Sequence, residues 1–119
     1  MADTIRIAVH GAAGRMGQRV VALAAADAGL KVTLALESAK SPALGKDAGE
    51  LAGIGKIGVP VTSELTTSCD VVIDFSVPKA TQGIVELCLE KKLPLVVATT
   101  GLEPEVKQRI VAASQQIPV

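Results

Sequence analysis

The chain has 119 residues, with 12 basic and 12 acidic side chains and no formal net charge. This length corresponds to one domain, and the balanced charge with a single aromatic residue, Phe75, argues against nucleic-acid binding. The sequence shows no signal peptide and no apolar run of the ~20 residues that a membrane span needs. Cys69 and Cys88 match no metal or redox spacing. We therefore expect a soluble, cytoplasmic protein with two reduced, buried thiols.

The pattern of apolar residues predicts strands that alternate with helices. In chain order we expect a strand at 5–9, a helix at 15–26, a strand at 30–36, a long loop at 38–58, a short strand at 59–62, a helical turn at 63–67, a strand at 71–73, a helix at 78–91, a strand at 95–98, a helix at 104–115 and the start of another strand at 117–119. This alternation predicts an α/β fold, a doubly wound parallel sheet of the Rossmann type, as one domain over 1–119.

The spacing of apolar residues also predicts which helix faces point inward. The first helix presents one stripe, formed by Met16, Val20, Leu23 and Ala24. The helix at 78–91 should turn Ile84, Leu87 and Cys88 inward. Because the core is built from Val, Ile, Leu and Ala, we expect strands that are buried on both faces.

Three glycines follow the first strand at regular spacing. Gly11 permits a sharp exit from the strand, Gly14 permits close approach of a pyrophosphate, and Gly17 permits tight packing of the helix on the sheet. The helix N-terminus favours an anion, and Arg15 adds positive charge there. A strand before and a helix after favour a dinucleotide-phosphate loop over the alternative, a glycine-rich turn without a ligand.

An acidic residue, Glu37, lies 20 positions after Gly17, at the end of the second predicted strand. An acid at this place accepts hydrogen bonds from the adenosine ribose hydroxyls and repels a 2′-phosphate. An arginine directly after it would compensate, but Ser38 occupies that position and Lys40 lies two further on. We expect NADH to be preferred and NADPH to be tolerated.

Other strand ends should meet at the same edge of the sheet. Phe75 is either a cofactor contact or core packing, and Asp74 is either a helix N-terminal carboxylate or part of the cofactor pocket. The turn at 99–101 is either a contact to the nicotinamide or a helix cap. His10, the single histidine, is interpreted as a spacer. The sequence shows no nucleophile–base pair, general acid or metal cluster, so no catalytic or metal-binding residue is predicted.

Four motifs together resemble one reductase family. They are the runs 9–17, 45–53, 74–81 and 98–101. The runs 45–53 and 74–81 are far more specific than the glycine loop, which many dehydrogenases share. On these motifs the chain is similar to the 4-hydroxy-tetrahydrodipicolinate reductase (dihydrodipicolinate reductase) family, over nearly its whole length.

The resemblance implies a role for each matching residue. The pyrophosphate would be held by Gly11, Ala12, Ala13, Gly14, Arg15 and Met16. Glu37 would hold the adenosine ribose, and the nicotinamide would lie near Phe75, Ala98, Thr99 and Thr100. The family often has an arginine after the ribose acid, and Ser38 stands there in this chain, which weakens the case for strong NADPH preference.

The resemblance also implies an oxidoreductase of diaminopimelate and lysine biosynthesis. Such an enzyme transfers hydride from NADH or NADPH to a cyclic dicarboxylic substrate, 4-hydroxy-tetrahydrodipicolinate. The family's second domain carries paired histidines and a lysine for the substrate and forms the homotetramer, and that motif does not occur here. We expect residues 1–119 to be the amino-terminal cofactor domain, which binds cofactor without turnover. The alternatives are a stand-alone NAD(H)-binding module and the cofactor domain of another small dehydrogenase.

Overall fold

The computed structural model describes residues 4–119, and its strands form one parallel sheet of five. The elements are β1 Ile5–His10, α1 Arg15–Ala25, β2 Leu30–Leu36, α2 Ala48–Leu51, β3 Val61–Thr62, β4 Val71–Asp74, α3 Pro78–Lys91, β5 Leu95–Val97 and α4 Pro104–Ala113. The strand order is β3-β2-β1-β4-β5. The chain thus builds outward from β1 first to one side and then to the other, which leaves a crevice beyond the ends of β1 and β4.

Side chains alternate across the sheet, so each face has its own core. Ile7 and Val9 pack on the face that α1 and α2 cover, together with Val21 of α1. Ala8 points to the opposite face, where Cys88 of α3 and Ala113 of α4 pack. Two apolar layers around a parallel sheet confirm the predicted doubly wound α/β fold.

The two cysteines lie in one of these cores. Cys69 and Cys88 are both buried and both free thiols, as predicted. Burial raises the pKa of Cys88 to about 12, so this thiol stays protonated.

The inward faces of two helices differ from the prediction. Met16 is 53% exposed and Leu23 is 58% exposed, whereas the buried residues of α1 are Gly17, Val21 and Ala24. The helix face that contains Gly17 turns inward because only there can α1 approach the preceding turn closely. In α3, Leu87 lies at the margin of the buried stripe and is 38% exposed, while Ile84 and Cys88 are buried as predicted.

The segment 38–58 is more ordered than a plain loop. Asp47 is buried and its carboxylate accepts hydrogen bonds from five backbone N–H groups, those of Gly49, Glu50, Ile57, Gly58 and Val59. Burial raises the pKa of Asp47, but these N–H bonds outweigh it and hold the pKa below its ordinary value. The carboxylate also caps α2, and the spacing of Asp47 and Glu50 is a capping signal that the prediction overlooked.

Several predicted boundaries also need correction. β3 begins at Val61, α4 ends at Ala113, and residues 63–67 form an irregular bend where a helical turn was expected. Residues 117–119 are irregular too, although Leu95 N donates a hydrogen bond to Pro118 O at 3.0 Å. β5 is one of the two edge strands, and Val96 is 49% exposed, so this strand is not buried on both faces.

The pairing of β1 with β2 contains an irregularity at Thr33. Ile7 pairs with Val32, but Ala8 pairs with Leu34, so Thr33 is an extra residue in β2. Its Oγ1 is buried and has no hydrogen-bond partner within residues 4–119. A buried hydroxyl without a partner is destabilising.

Replacing Thr33 with valine should therefore stabilise the protein. Valine has nearly the same shape and no polar atom, so we expect the free energy of unfolding to rise by about 1 kcal/mol. Urea denaturation measures the change. The matched control is Thr62→Val in neighbouring β3, because Thr62 Oγ1 accepts a hydrogen bond from Glu64 N. A loss of stability in Thr33→Val would contradict the conclusion that the buried Thr33 hydroxyl destabilises the fold.

Candidate functional site

The carboxyl ends of three strands meet in register at one edge of the sheet. His10 of β1 pairs with Leu36 of β2 on one side and with Asp74 of β4 on the other. A cavity of about 480 Å³ opens beyond this edge. It is lined by His10, Gly11, Gly14, Arg15, Met16, Glu37, Ser38, Phe75, Ser76, Val77 and Ala80.

Two glycines allow the turn after β1 to close on its neighbours. Gly11 has a φ of +86°, and a Cβ there would lie 2.6 Å from Phe75 O. A Cβ on Gly17 would lie 1.9 Å from Gly11 O. The need for glycine at both positions agrees with the sequence argument. The closest contact of Gly17, however, is the turn itself and not the sheet surface.

The N-terminus of α1 faces solvent at this turn. Gly14 is its N-cap residue, and no side chain of residues 4–119 caps the helix there. Arg15 and Met16 follow and are exposed. A Cβ on Gly14 would make only an ordinary contact, at 3.4 Å from Gly11 O. The first-turn N–H groups and Arg15 together make this end attractive to an anion.

Glu37 links the end of β2 to the glycine turn. Its Oε2 accepts a hydrogen bond from Ala13 N at 2.9 Å. Glu37 and Ser38 also line the cavity, next to Gly14 and Arg15. A carboxylate has about four acceptor positions, so Glu37 can accept further hydrogen bonds from a pair of hydroxyl groups.

Asp74 is fully buried and holds three parts of the site together. Its carboxylate accepts hydrogen bonds from His10 Nδ1 at 2.9 Å and from Thr99 Oγ1 at 2.9 Å, and from Ser76 and Thr81 as well. Burial raises the pKa of Asp74, but hydrogen bonds from His10, Ser76 and Thr81 outweigh it and lower the pKa to about 2. Asp74 is therefore ionised, and it anchors the residues around it from inside the protein. It is not the N-cap residue of α3, because that position is Val77.

The predicted site residues divide into two groups. Gly11, Gly14, Arg15, Met16, Glu37, Ser38 and Phe75 line the cavity. Within residues 4–119 its lining does not include Ala12, Ala13, Ala98, Thr99 or Thr100. Ala98 N donates to Asp74 O at 2.9 Å, so the turn at 98–100 lies directly beside the anchored strand end.

The structure adds residues that the sequence argument missed. Ser76 and Val77 directly precede α3, and Ala80 lies in its first turn. His10 also lines the cavity, and its ring is hydrogen-bonded to Asp74, so it is more than a spacer. His10, Glu37, Ser38 and Ala80 also line a second cavity of about 290 Å³. Its remaining wall is Leu36, Ala39, Ser63, Leu65, Gly83, Ile84 and Leu87. The two cavities thus share one wall.

Comparison with known proteins identifies relatives over the whole chain. The family described as "Dihydrodipicolinate reductase, N-terminus" matches this chain over residues 5–119. A 4-hydroxy-tetrahydrodipicolinate reductase of Rhodopirellula baltica is 47% identical over all of this chain and 45% of its own length. One from Anaeromyxobacter is 47% identical over 97% of this chain and 43% of its own length. The chain thus spans less than half the length of these relatives.

Solved structures show the same fold. A dipicolinate-bound dihydrodipicolinate reductase from Paenisporosarcina superposes with a TM-score of 0.70 at 24% identity, over 93% of this chain and 43% of the other. An aspartate semialdehyde dehydrogenase with NADP from Candida albicans gives a TM-score of 0.67 at 21% identity, over 82% and 30%. In the part of the chain that the structure describes, every helix is too short or too polar to cross a membrane. By its match over residues 5–119, the chain belongs to the dihydrodipicolinate reductase N-terminal family.

Proposed function

We propose that this chain binds NADH or NADPH for the reduction of 4-hydroxy-tetrahydrodipicolinate, a step of diaminopimelate and lysine biosynthesis in the cytoplasm. One observation carries the proposal: Gly11, Gly14 and Glu37 line one cavity at the point where the strand order reverses. The reaction is the one for which the relatives from Rhodopirellula baltica and Anaeromyxobacter are named.

The cavity residues fit the parts of a dinucleotide. The pyrophosphate would lie over the N-terminus of α1, where Gly14 leaves the backbone uncovered and Arg15 supplies charge. The adenosine ribose would lie on Glu37. The nicotinamide would extend past Phe75 toward the turn at 98–100, which Asp74 anchors. When bound, the cofactor supplies the hydride, and these residues bind and orient it.

The substrate-binding and tetramer-forming half of the family enzyme would lie outside residues 1–119. We therefore propose that the 119-residue chain binds cofactor without turnover. The alternatives remain a stand-alone NAD(H)-binding module and the cofactor domain of another small dehydrogenase. The family match over residues 5–119 argues against the second.

Calorimetric titration of the 119-residue chain with NADH tests the proposal. We expect weak, saturable binding that is reduced in Glu37→Gln. The matched control is Glu90→Gln, an exposed glutamate on α3 that lines neither cavity. Absence of binding by the folded chain would contradict the cofactor role. Consumption of NADH by the chain in the presence of substrate would contradict the claim that it lacks turnover.

We further propose that NADH is preferred over NADPH, because Glu37 lies beside Ser38 where a 2′-phosphate would be placed. Ser38→Arg should then raise NADPH affinity relative to NADH by about tenfold, since a guanidinium pairs bidentately with a phosphate. Ser38→Gln, an uncharged side chain of extended length, is the control and should leave the ratio unchanged. Competitive titrations measure the ratio. An unchanged ratio in Ser38→Arg would mean that position 38 does not contact the 2′ group.

A further inference from the structure

The two carboxylate oxygens of Asp74 bind different parts of the site. Oδ1 accepts hydrogen bonds from His10 Nδ1 at 2.9 Å and from Ser76 N at 3.1 Å, and both of these residues line the 480 Å³ cavity. Oδ2 accepts hydrogen bonds from Thr81 Oγ1 of α3 and, at 2.9 Å, from Thr99 Oγ1 in the turn after β5. One buried carboxylate therefore connects the cavity wall with that turn.

The turn itself, residues 99–102, is held by very little else. Within residues 4–119, the bond from Thr99 Oγ1 to Asp74 is the one hydrogen bond that this segment makes. The bond from Ala98 N to Asp74 O, at 2.9 Å, precedes the segment and holds only the end of β5. Backbone with so few hydrogen bonds has low local stability. The position of the turn therefore depends on the Thr99 hydroxyl.

The turn lies beside the cavity, on the side away from Glu37. A Cβ added at Gly101 would lie 3.9 Å from Pro78 Cγ, and the two residues directly before Pro78, Ser76 and Val77, line the cavity. In the sheet, β5 flanks β4, whereas Glu37 follows β2 on the other side of β1. A dinucleotide with its adenosine ribose on Glu37 would therefore direct its other end toward this turn.

We propose that Thr99 is a positioning residue for the nicotinamide half of the cofactor, because its hydroxyl, bound to Asp74, holds the turn that this half would contact. This inference rests on the proposed cofactor role. The pyrophosphate and the adenosine ribose are assigned to the N-terminus of α1 and to Glu37, which the Thr99 hydroxyl does not contact. Loss of this hydroxyl should therefore weaken only the binding that the nicotinamide end contributes.

The test compares the affinities of Thr99→Val for NADH and for ADP-ribose, which lacks the nicotinamide but carries the same pyrophosphate. Valine has the shape of threonine but cannot donate a hydrogen bond to Asp74. We expect the affinity for NADH to fall about fivefold, which corresponds to the loss of one hydrogen bond, and the affinity for ADP-ribose to stay unchanged. Thr99→Ser keeps the hydroxyl and should restore the ratio of the two affinities.

Thr81→Val is the matched control. Thr81 donates to the same oxygen of Asp74 as Thr99 does, but it lies on α3 and not in the turn. This variant removes an equivalent hydrogen bond from the same carboxylate, so it reports the general effect of weakening the Asp74 network. The ratio of NADH to ADP-ribose affinity should be the same in Thr81→Val as in the unchanged chain.

A second measurement needs no variant and decides the question if Thr99→Val does not fold. Amide hydrogen exchange of residues 99–102 in the unchanged chain should be slowed by NADH and not by ADP-ribose. If both ligands bind, the positioning role is overturned by equal protection of the turn, or by a Thr99→Val protein that keeps the original affinity ratio, and the cofactor role stands. If neither ligand binds to the folded chain, both proposals fail.

Discussion

Replacing Asp74 with asparagine is expected to lower the free energy of unfolding by about 3 kcal/mol. The carboxylate is fully buried and accepts hydrogen bonds from four residues. They are His10 of β1, Ser76 in the turn before α3, Thr81 of α3 and Thr99 in the turn after β5. Asparagine has one acceptor oxygen, whereas both oxygens of the Asp74 carboxylate accept hydrogen bonds. The NH2 group of asparagine would lie against groups that are themselves hydrogen-bond donors. Chemical denaturation measures the loss, and NADH titration should show weaker binding because His10 and Ser76, which line the cavity, lose their anchor.

The same carboxylate should make the protein sensitive to acid. The pKa of Asp74 is lowered to about 2 in the folded chain, whereas that of an unfolded aspartate is about 3.9. The ionised group therefore stabilises the fold fully above about pH 4, and this contribution is lost as pH falls toward 2. In Asp74→Asn that part of the acid dependence should be missing.

Asp70 provides the matched control for both experiments. It directly precedes β4 and also accepts hydrogen bonds, from Arg6, but its side chain is 45% exposed. Water replaces those bonds when the carboxylate is removed, so Asp70→Asn should change stability little. Equal losses in the two variants would show that burial of Asp74 is not the source of its effect.

The second large effect is expected from Gly17→Ala. The new Cβ would lie 1.9 Å from Gly11 O, 2.7 Å from Gly11 C and 2.9 Å from Ala12 Cα, all of them backbone atoms. Backbone cannot move aside as a side-chain end can, so α1 and the turn must separate. We expect a loss of about 2–3 kcal/mol in stability and weaker NADH binding, since the turn then shifts from the N-terminus of α1.

Gly83→Ala is the control for stability. It is also a glycine within a helix, but a Cβ there meets nothing within 4 Å in the described part of the chain. Alanine at such a site favours the helix, so a gain of about 0.5–1 kcal/mol is expected. Thermal unfolding of both variants gives the comparison. A stable Gly17→Ala protein with unchanged NADH binding would contradict the contact between α1 and the turn.

The sequence argument was right where a property depends on neighbouring residues. Periodicity located every strand, and the spacing of Gly11 and Gly17 predicted positions where a Cβ cannot fit. It was wrong about the exposure of Met16 and Leu23, because the rotation of α1 is set by its closest contact and not by its apolar side chains. It overlooked α2, although the Asp47 cap was visible in the sequence.

The sequence by itself determined the fold class, the glycine turn and the acidic residue at the end of β2, because each is a local pattern of residue type and spacing. Only the tertiary structure decided that His10 and Asp74, 64 positions apart, form a pair. They meet because β1 and β4 pair in register at their carboxyl ends, and no local pattern records which strands become neighbours. The hydrogen bonds that keep the buried Asp74 ionised, including the one from His10, are likewise a property of the assembled sheet.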